Sequence, residues 1–205
     1  MRLLFAACLL SLLANDVWAA GDRGKVIFDR FCMSCHGSDG AGNEALGAPS
    51  IAGLPQWYID VQIHKFRDGA RGLHPRDVPG MRMRPMALTI KTDEDLASVA
   101  AHVAGLPRPS LKAVVIGSAV RGEERYKVCA ACHGADAKGN QQLNAPPLVG
   151  GSDWYLVTQL HNFKDGLRGG DPAKDPNGAA MRGMAATLDE QGVKDVVAYI
   201  NVLGP

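Results

Sequence analysis

Two short stretches of the 205-residue chain hold residue types that do chemistry: Cys32-Met33-Ser34-Cys35-His36 and Cys129-Ala130-Ala131-Cys132-His133. In each, two cysteines bracket a pair of residues and a histidine follows directly. That C-x-x-C-H pattern attaches a c-type haem. Two thiols at this spacing reach two vinyl groups on one porphyrin edge and form thioethers. The histidine beside them is then held under the iron as proximal ligand. The alternatives are a zinc site or redox-active disulfides, and neither requires a histidine straight after both pairs. The expectation is two covalently bound haem c groups, attached through Cys32 and Cys35 and through Cys129 and Cys132, with His36 and His133 on the irons.

A low-spin electron carrier also needs a sixth ligand, and a methionine thioether is a soft ligand that raises the haem potential. The bland role of any methionine is to fill a core. Here the chain's own repetition narrows the choice. Met83 and Met86 recur as Met181 and Met184, whereas Met81 has no counterpart and Met33 lies inside an attachment motif. Spacing alone leaves Met83/Met181 and Met86/Met184 both open.

The repetition covers whole domains. A shift of 97 residues lays Cys32 on Cys129, Ala48-Pro49 on Ala145-Pro146, Trp57-Tyr58 on Trp154-Tyr155, Gln62 on Gln159 and Arg71 on Arg168. With one residue inserted, Met83-Arg84-Pro85-Met86 meets Met181-Arg182-Gly183-Met184. A period this long is a duplicated domain, well beyond a solenoid repeat. The expected bounds are 20–105 and 117–205, joined by a linker over 106–116 in which Pro107 and Pro109 stop any helix from running through. Helical spacing dominates each half. Ile59, Ile63 and Phe66 form one apolar stripe, matched by Leu156, Leu160 and Phe163; Leu96, Val99, Ala100 and Val103 form another, matched by Val193, Val196, Val197 and Ile200. Thr92 and Asp95 read as a capping signal. Helices starting near Asp22 and Ser118 lead into the two attachment motifs, and Gly- and Pro-rich loops over 37–55 and 69–85 separate the helices. Each half is thus expected to be an all-α domain of three or so helices with long loops. Loops of that length need something to wrap.

Composition agrees. Hydrophobic residues are 46% and charged residues 21% of the chain, so it is globular. Aromatics are only 6%, and two domains of this size have modest cores, which a bound apolar group would complete. The formal net charge of +1 excludes a nucleic-acid binder, which needs a basic excess. Residues 1–19 read as a secretory signal: a basic Arg2, an apolar run from Leu3 to Leu13, and small residues Val17 and Ala19 before the expected cleavage at Ala20. That run is too short to cross the ~30 Å hydrocarbon core of a bilayer. Cys8 sits too early in it for a lipoprotein site. The expected location is the periplasm.

With these residues in view, the chain resembles the dihaem class I cytochromes c, specifically the tandem-domain cytochrome c4 type, over its whole mature length. The resemblance implies two tandem class I cytochrome c domains, each a few helices wrapped around a covalent haem. In that family the distal methionine comes on a loop shortly before each domain's last helix, within a stretch like M-x-G-M. This favours Met83 and Met181 as axial ligands, with Met86 and Met184 as runners-up and Pro85 standing where the family has glycine. It also places His102 and Tyr199 against the first helix of their domains. His64 and His161 recur off the apolar stripe and read as surface or haem-rim groups, and His74 as solvated. Trp57, Tyr58, Gln62 and their repeats read first as packing. Arg71 and Arg168 read first as packing or surface residues, and second as partners of haem propionates.

Iron closed on both faces by histidine and methionine leaves no place for a substrate. Function then reduces to outer-sphere electron transfer between a dehydrogenase or bc-type donor and a terminal oxidase or reductase acceptor, with any membrane association made through those partners. A peroxidase would need an open haem. A thiosulfate-oxidising dihaem enzyme, by family analogy, uses a cysteine ligand, and every cysteine after Ala20 is already in an attachment motif. A cytochrome subunit of a dehydrogenase or oxidase complex is the remaining alternative. From Lys65 to Arg84 the charge is +4, against +1 in the matching 162–182, so the first domain's methionine side is expected to dock an acidic partner through residues such as Arg76 and Arg82.

Overall fold

The computed structural model describes residues 20–204, with side chains from Arg23 onward, so the signal-peptide reading of 1–19 falls outside the described residues. The described chain is helical. The first half holds α1 (Ala20–Ile27), a π-helical turn (Phe28–Cys32), α2 (Met33–His36), α3 (Gln56–Arg67), α4 (Val78–Thr89) and α5 (Asp93–Gly105). The second holds α6 (Ala119–His133), α7 (Asp153–Lys164), α8 (Pro176–Ala186) and α9 (Glu190–Leu203). The stretch Ala20–His36 is the counterpart of α6, but the turn before Cys32 is widened to π geometry where α6 stays regular.

Short polar side chains start most of these helices by accepting orphan N–H groups. Thr92 Oγ1 accepts from Asp95 N at 3.1 Å, as the capping signal predicts, Ser118 caps α6, and Asp189 Oδ1 accepts from Gly192 N at 2.6 Å. In each half the first helix crosses the last at a glycine. A Cβ on Gly24 would collide with the Ser98 carbonyl, and one on Gly122 with the Asp195 carbonyl. This close approach seats the ring of Phe28 5.2 Å from His102, and Tyr126 5.4 Å from Tyr199. Both residues that the resemblance places against a first helix therefore lie there. The cores follow the predicted stripes: Phe28, Ile63, Phe66, Leu96, Val99 and Val103 in one half, Tyr126, Val193, Val196 and Ile200 in the other.

One expectation needs correcting. The stretch 69–85 reads as a loop, and the family pattern puts the distal methionine on a loop. The structure instead places Met83 in α4 and Met181 in α8. Each half therefore has one more helix than expected. Gly80, Pro79 and Pro85 give α4 poor helix propensity. It forms because Asp77 Oδ1 accepts from Gly80 N at 3.1 Å and Pro79 occupies the first turn, where no N–H is missed, while Pro85 stands in the helix interior. Asp175 and Pro176 do the same for α8, with Gly178 N donating at 2.7 Å.

Between α5 and α6 the chain is tied down. Buried Asp153 accepts from Val114 N and Val115 N, each at 2.8 Å, and Arg108 donates to Gly53 O at 3.1 Å and Val149 O at 2.9 Å. No helix among the described residues is long and apolar enough to cross a membrane.

Candidate haem-binding clefts

The N-terminal helix of each half ends on its histidine, and the loop that follows folds straight back over it. Gly42 N donates to His36 O at 2.8 Å, and Asn43 and Ala48 pair as an isolated antiparallel bridge; Gly139, Asn140 and Ala145 repeat this around His133. The fold-back delivers a backbone carbonyl to each imidazole. His36 Nδ1 lies 2.9 Å from Pro49 O, and His133 Nδ1 lies 2.8 Å from Pro146 O. A carbonyl oxygen only accepts, so Nδ1 carries the proton and the Nε2 lone pair is left free for a metal. Both rings are buried, 7% and 4% exposed, and that burial lowers their pKa against the opposing pull of the carbonyl. At neutral pH both are neutral, as an iron ligand must be.

Cys32, Cys35 and His36 line one apolar cleft with Ile59 and Ile63 of α3 and Met83 of α4. Met83 is half-buried against the first core, and Met86 reaches the same cleft at its mouth, 36% exposed. In the second half Met181 is half-buried and Met184 is 45% exposed. Burial pushes the Cys32 thiol up to about 11 and shifts Cys129 the same way. Unattached, these thiols stay protonated at neutral pH, unlike the thiolates that zinc or disulfide exchange require. His64 and His161 stand outside, 40% and 38% exposed by side chain, near Asp60 and Glu190 respectively.

The larger surprise lies between the halves. Arg71 and Arg168 are buried, 6% and 7% exposed, in a reciprocal network. Arg71 donates to Gln62 of its own half at 2.8 Å and, across the interface, to Tyr155 Oη at 3.1 Å and Gln159 Oε1 at 3.2 Å. Arg168 donates to Gln159 at 2.9 Å and, across the interface, to Gln62 Oε1 at 2.9 Å. Each guanidinium also stacks on its own domain's phenylalanine, Phe66 or Phe163, at 4.4 and 4.5 Å. Of the two readings of Arg71 and Arg168, packing holds and surface exposure is corrected: both are buried and also bridge the domains. Sequence missed this because the partners lie on the other repeat.

The same interface absorbs most of the excess charge of 65–84. Lys65 bonds Asp175, Arg71 is buried, and Arg76 lies 3.3 Å from Asp165 of the other half. Arg82 remains exposed, at the mouth of the first cleft. Sequence reasoning missed two other contributions: the Pro49 and Pro146 carbonyls, whose residues the repeat aligns, and the Asp77 and Asp175 caps.

These residues fit a haem. The cleft walls are apolar, two cysteines and a neutral histidine share one wall, and a methionine is within the same space. Beside it two buried arginines, Arg71 and Arg168, and half-buried Lys65 set three cations against the buried carboxylates Asp77 and Asp175, and the Nε of both arginines is buried without a partner. An apolar group bearing carboxylates would balance both the charge and the unmet donors.

The protein-family model described as Cytochrome c matches residues 21–107 and again 119–204. A protein named thiosulfate dehydrogenase electron acceptor, from Thiomonas intermedia, is 35% identical over 89% of this chain and 84% of its own length. A cytochrome c4 from Pseudomonas aeruginosa is 31% identical over 99% of this chain and 100% of its own. Among solved structures, a thiosulfate dehydrogenase (TsdBA) from Marichromatium purpuratum superposes with a TM-score of 0.71 at 31% identity, over 87% of this chain but 39% of that longer one.

Proposed function

The chain belongs to the cytochrome c family, in its two-domain cytochrome c4 branch, and from that premise we propose that it carries electrons in the periplasm between a dehydrogenase and a terminal oxidase or reductase. Its two cytochrome c domains imply two covalently bound haem c groups. The domains run over 20–105 and 117–205, with 106–116 as linker. Cys32 and Cys35 attach the first haem and Cys129 and Cys132 the second; His36 and Met83 ligate one iron, His133 and Met181 the other.

Each haem, when bound, supplies a one-electron couple at its iron. The chain's residues decide what that couple is used for. The observation that carries the reading is that a neutral, carbonyl-anchored histidine and a half-buried methionine line the same cleft as the attachment cysteines. With the His36 imidazole and the Met83 thioether both given to the iron, the haem would keep no place for a substrate and would supply electron transfer without bond making. The Pro49 and Pro146 carbonyls fix imidazole orientation and raise its basicity. Ile59, Ile63, Phe66 and Val103 exclude water from the cleft. Arg71 and Arg168, each with a buried Nε lacking a partner, would hold the carboxylates of the bound group.

The relatives named as electron acceptors of thiosulfate dehydrogenases support a sulfur-oxidising dehydrogenase as donor. A carrier is favoured over an enzyme because, among the described residues, all four cysteines lie in the attachment motifs. Titration of the purified holoprotein with dithionite tests the proposal. The expected result is uptake of two electrons per chain, with ferrous spectra unchanged by carbon monoxide and ferric spectra unchanged by peroxide. Ligand binding at either haem would favour an enzyme.

A further inference from the structure

The two halves repeat closely, yet the more buried ion pair across their interface has no mirror image. Lys65 Nζ, on α3 of the first half, lies 2.7 Å from Asp175 Oδ1, with side chains only 17% and 2% exposed. One period on, the residue matching Lys65 is Asn162, and the residue matching Asp175 is Asp77. The mirror pair is therefore uncharged on one side. The two aspartates do the same local work: each caps the helix that carries its domain's methionine, Asp77 through Gly80 N and Asp175 through Gly178 N. Only in the second half is that cap carboxylate held by a cation from the other domain. Asp175 Oδ2 is buried with no hydrogen-bond partner, so Lys65 is the direct charge compensation that the group has.

We propose that Lys65 is a positioning residue for Met181, acting across the interface through Asp175 and the start of α8. The inference rests on the reading of Met181 as an iron ligand. A buried carboxylate stripped of its partner is strongly unfavourable and moves or takes up a proton. Either response loosens the first turn of α8, and Met181 lies in that short helix only six residues after Asp175. Met83 has no such dependence, because Asp77 lacks the lysine. The second haem's ligation is thereby tied to closure of the domain interface, while the first haem's is set within its own domain.

Proton NMR of the reduced holoprotein tests this, since each iron-bound methionine gives its own high-field methyl signal. The signal absent from Met181→Leu identifies the second haem. In Lys65→Met that signal is expected to broaden or vanish while the Met83 signal stays, and Lys65→Arg should retain both. Adding Asp175→Asn to Lys65→Met keeps a capping oxygen and leaves no buried charge unpaired, so the double variant should recover both signals. It serves in place of Lys65→Met if the latter fails to retain two haems: a Met181 signal still missing from it would overturn the route through Asp175. Both signals unchanged in Lys65→Met, or both weakened equally, would overturn the inference alone. A wild-type protein with only one high-field methyl would instead overturn the ligand reading beneath it.

Discussion

Two imidazole nitrogens decide what the attachment motifs can do. Pro49 O and Pro146 O each hold one ring nitrogen protonated and so leave the other basic. The motifs themselves were fully legible, because thioether attachment needs only local spacing. Arg71 was not, because its partners Tyr155 and Gln159 lie 84 and 88 residues away. Replacing it by methionine takes the arginine donor from Tyr155 Oη, leaves the Gln62 and Gln159 oxygens to Arg168 alone, and removes a cation beside the expected carboxylates. Arg71→Met is expected to lose roughly 2–4 kcal/mol of stability and to lower the reduction potential, since a nearby cation favours the electron. Thermal unfolding and redox titration of the variant check both; an unchanged potential would place the carboxylates elsewhere.

Helices explain what the residues alone do not. The stripes on α3, α5, α7 and α9 were readable because apolar side chains recur at helical spacing. The helices α4 and α8 were not readable, because glycines and prolines hide them and a single aspartate cap starts each. The crossing of α6 over α9 depends on Gly122, whose added methyl would strike the Asp195 carbonyl. Gly122→Ala is expected to cost about 1–3 kcal/mol or more, seen as a lowered thermal midpoint with the first domain unaffected. Asp195 itself, fully buried, accepts from Ser118 N, Arg121 and Gln191, and the Arg121 hydrogen bond chiefly holds its carboxyl well below the usual range. A depressed folded-state pKa gives stability that is present above the unfolded value of ~4 and is lost as pH falls through the folded one. The second domain should therefore destabilise steeply below about pH 4, and Asp195→Asn should flatten that acid limb. Circular dichroism between pH 5 and 2 would show it; parallel curves would assign the acid sensitivity to other carboxylates.

At the scale of the molecule, duplication sets two like domains against one polar seam, and departures from the repeat make them unequal. The chain's charge asymmetry was visible in sequence, but its destination was not: Lys65 and Arg71 turn inward to the seam, and exposed Arg76 pairs across it with Asp165. Arg82 is left at the first cleft's mouth beside Leu46 and Met86, where the second half has Ala180. Arg82→Glu should slow electron exchange with an acidic partner by about tenfold at low salt, and stopped-flow rates that ignore both the substitution and ionic strength would remove that docking face. The central claim is that each of two covalent haems is closed by its own histidine and methionine. It is tested most directly by the far-red charge-transfer band that a methionine thioether gives on ferric haem iron. Half of its amplitude per chain should vanish in Met83→Ala, half in Met181→Ala, and all of it in the double variant. An undiminished band in that double variant would contradict the account.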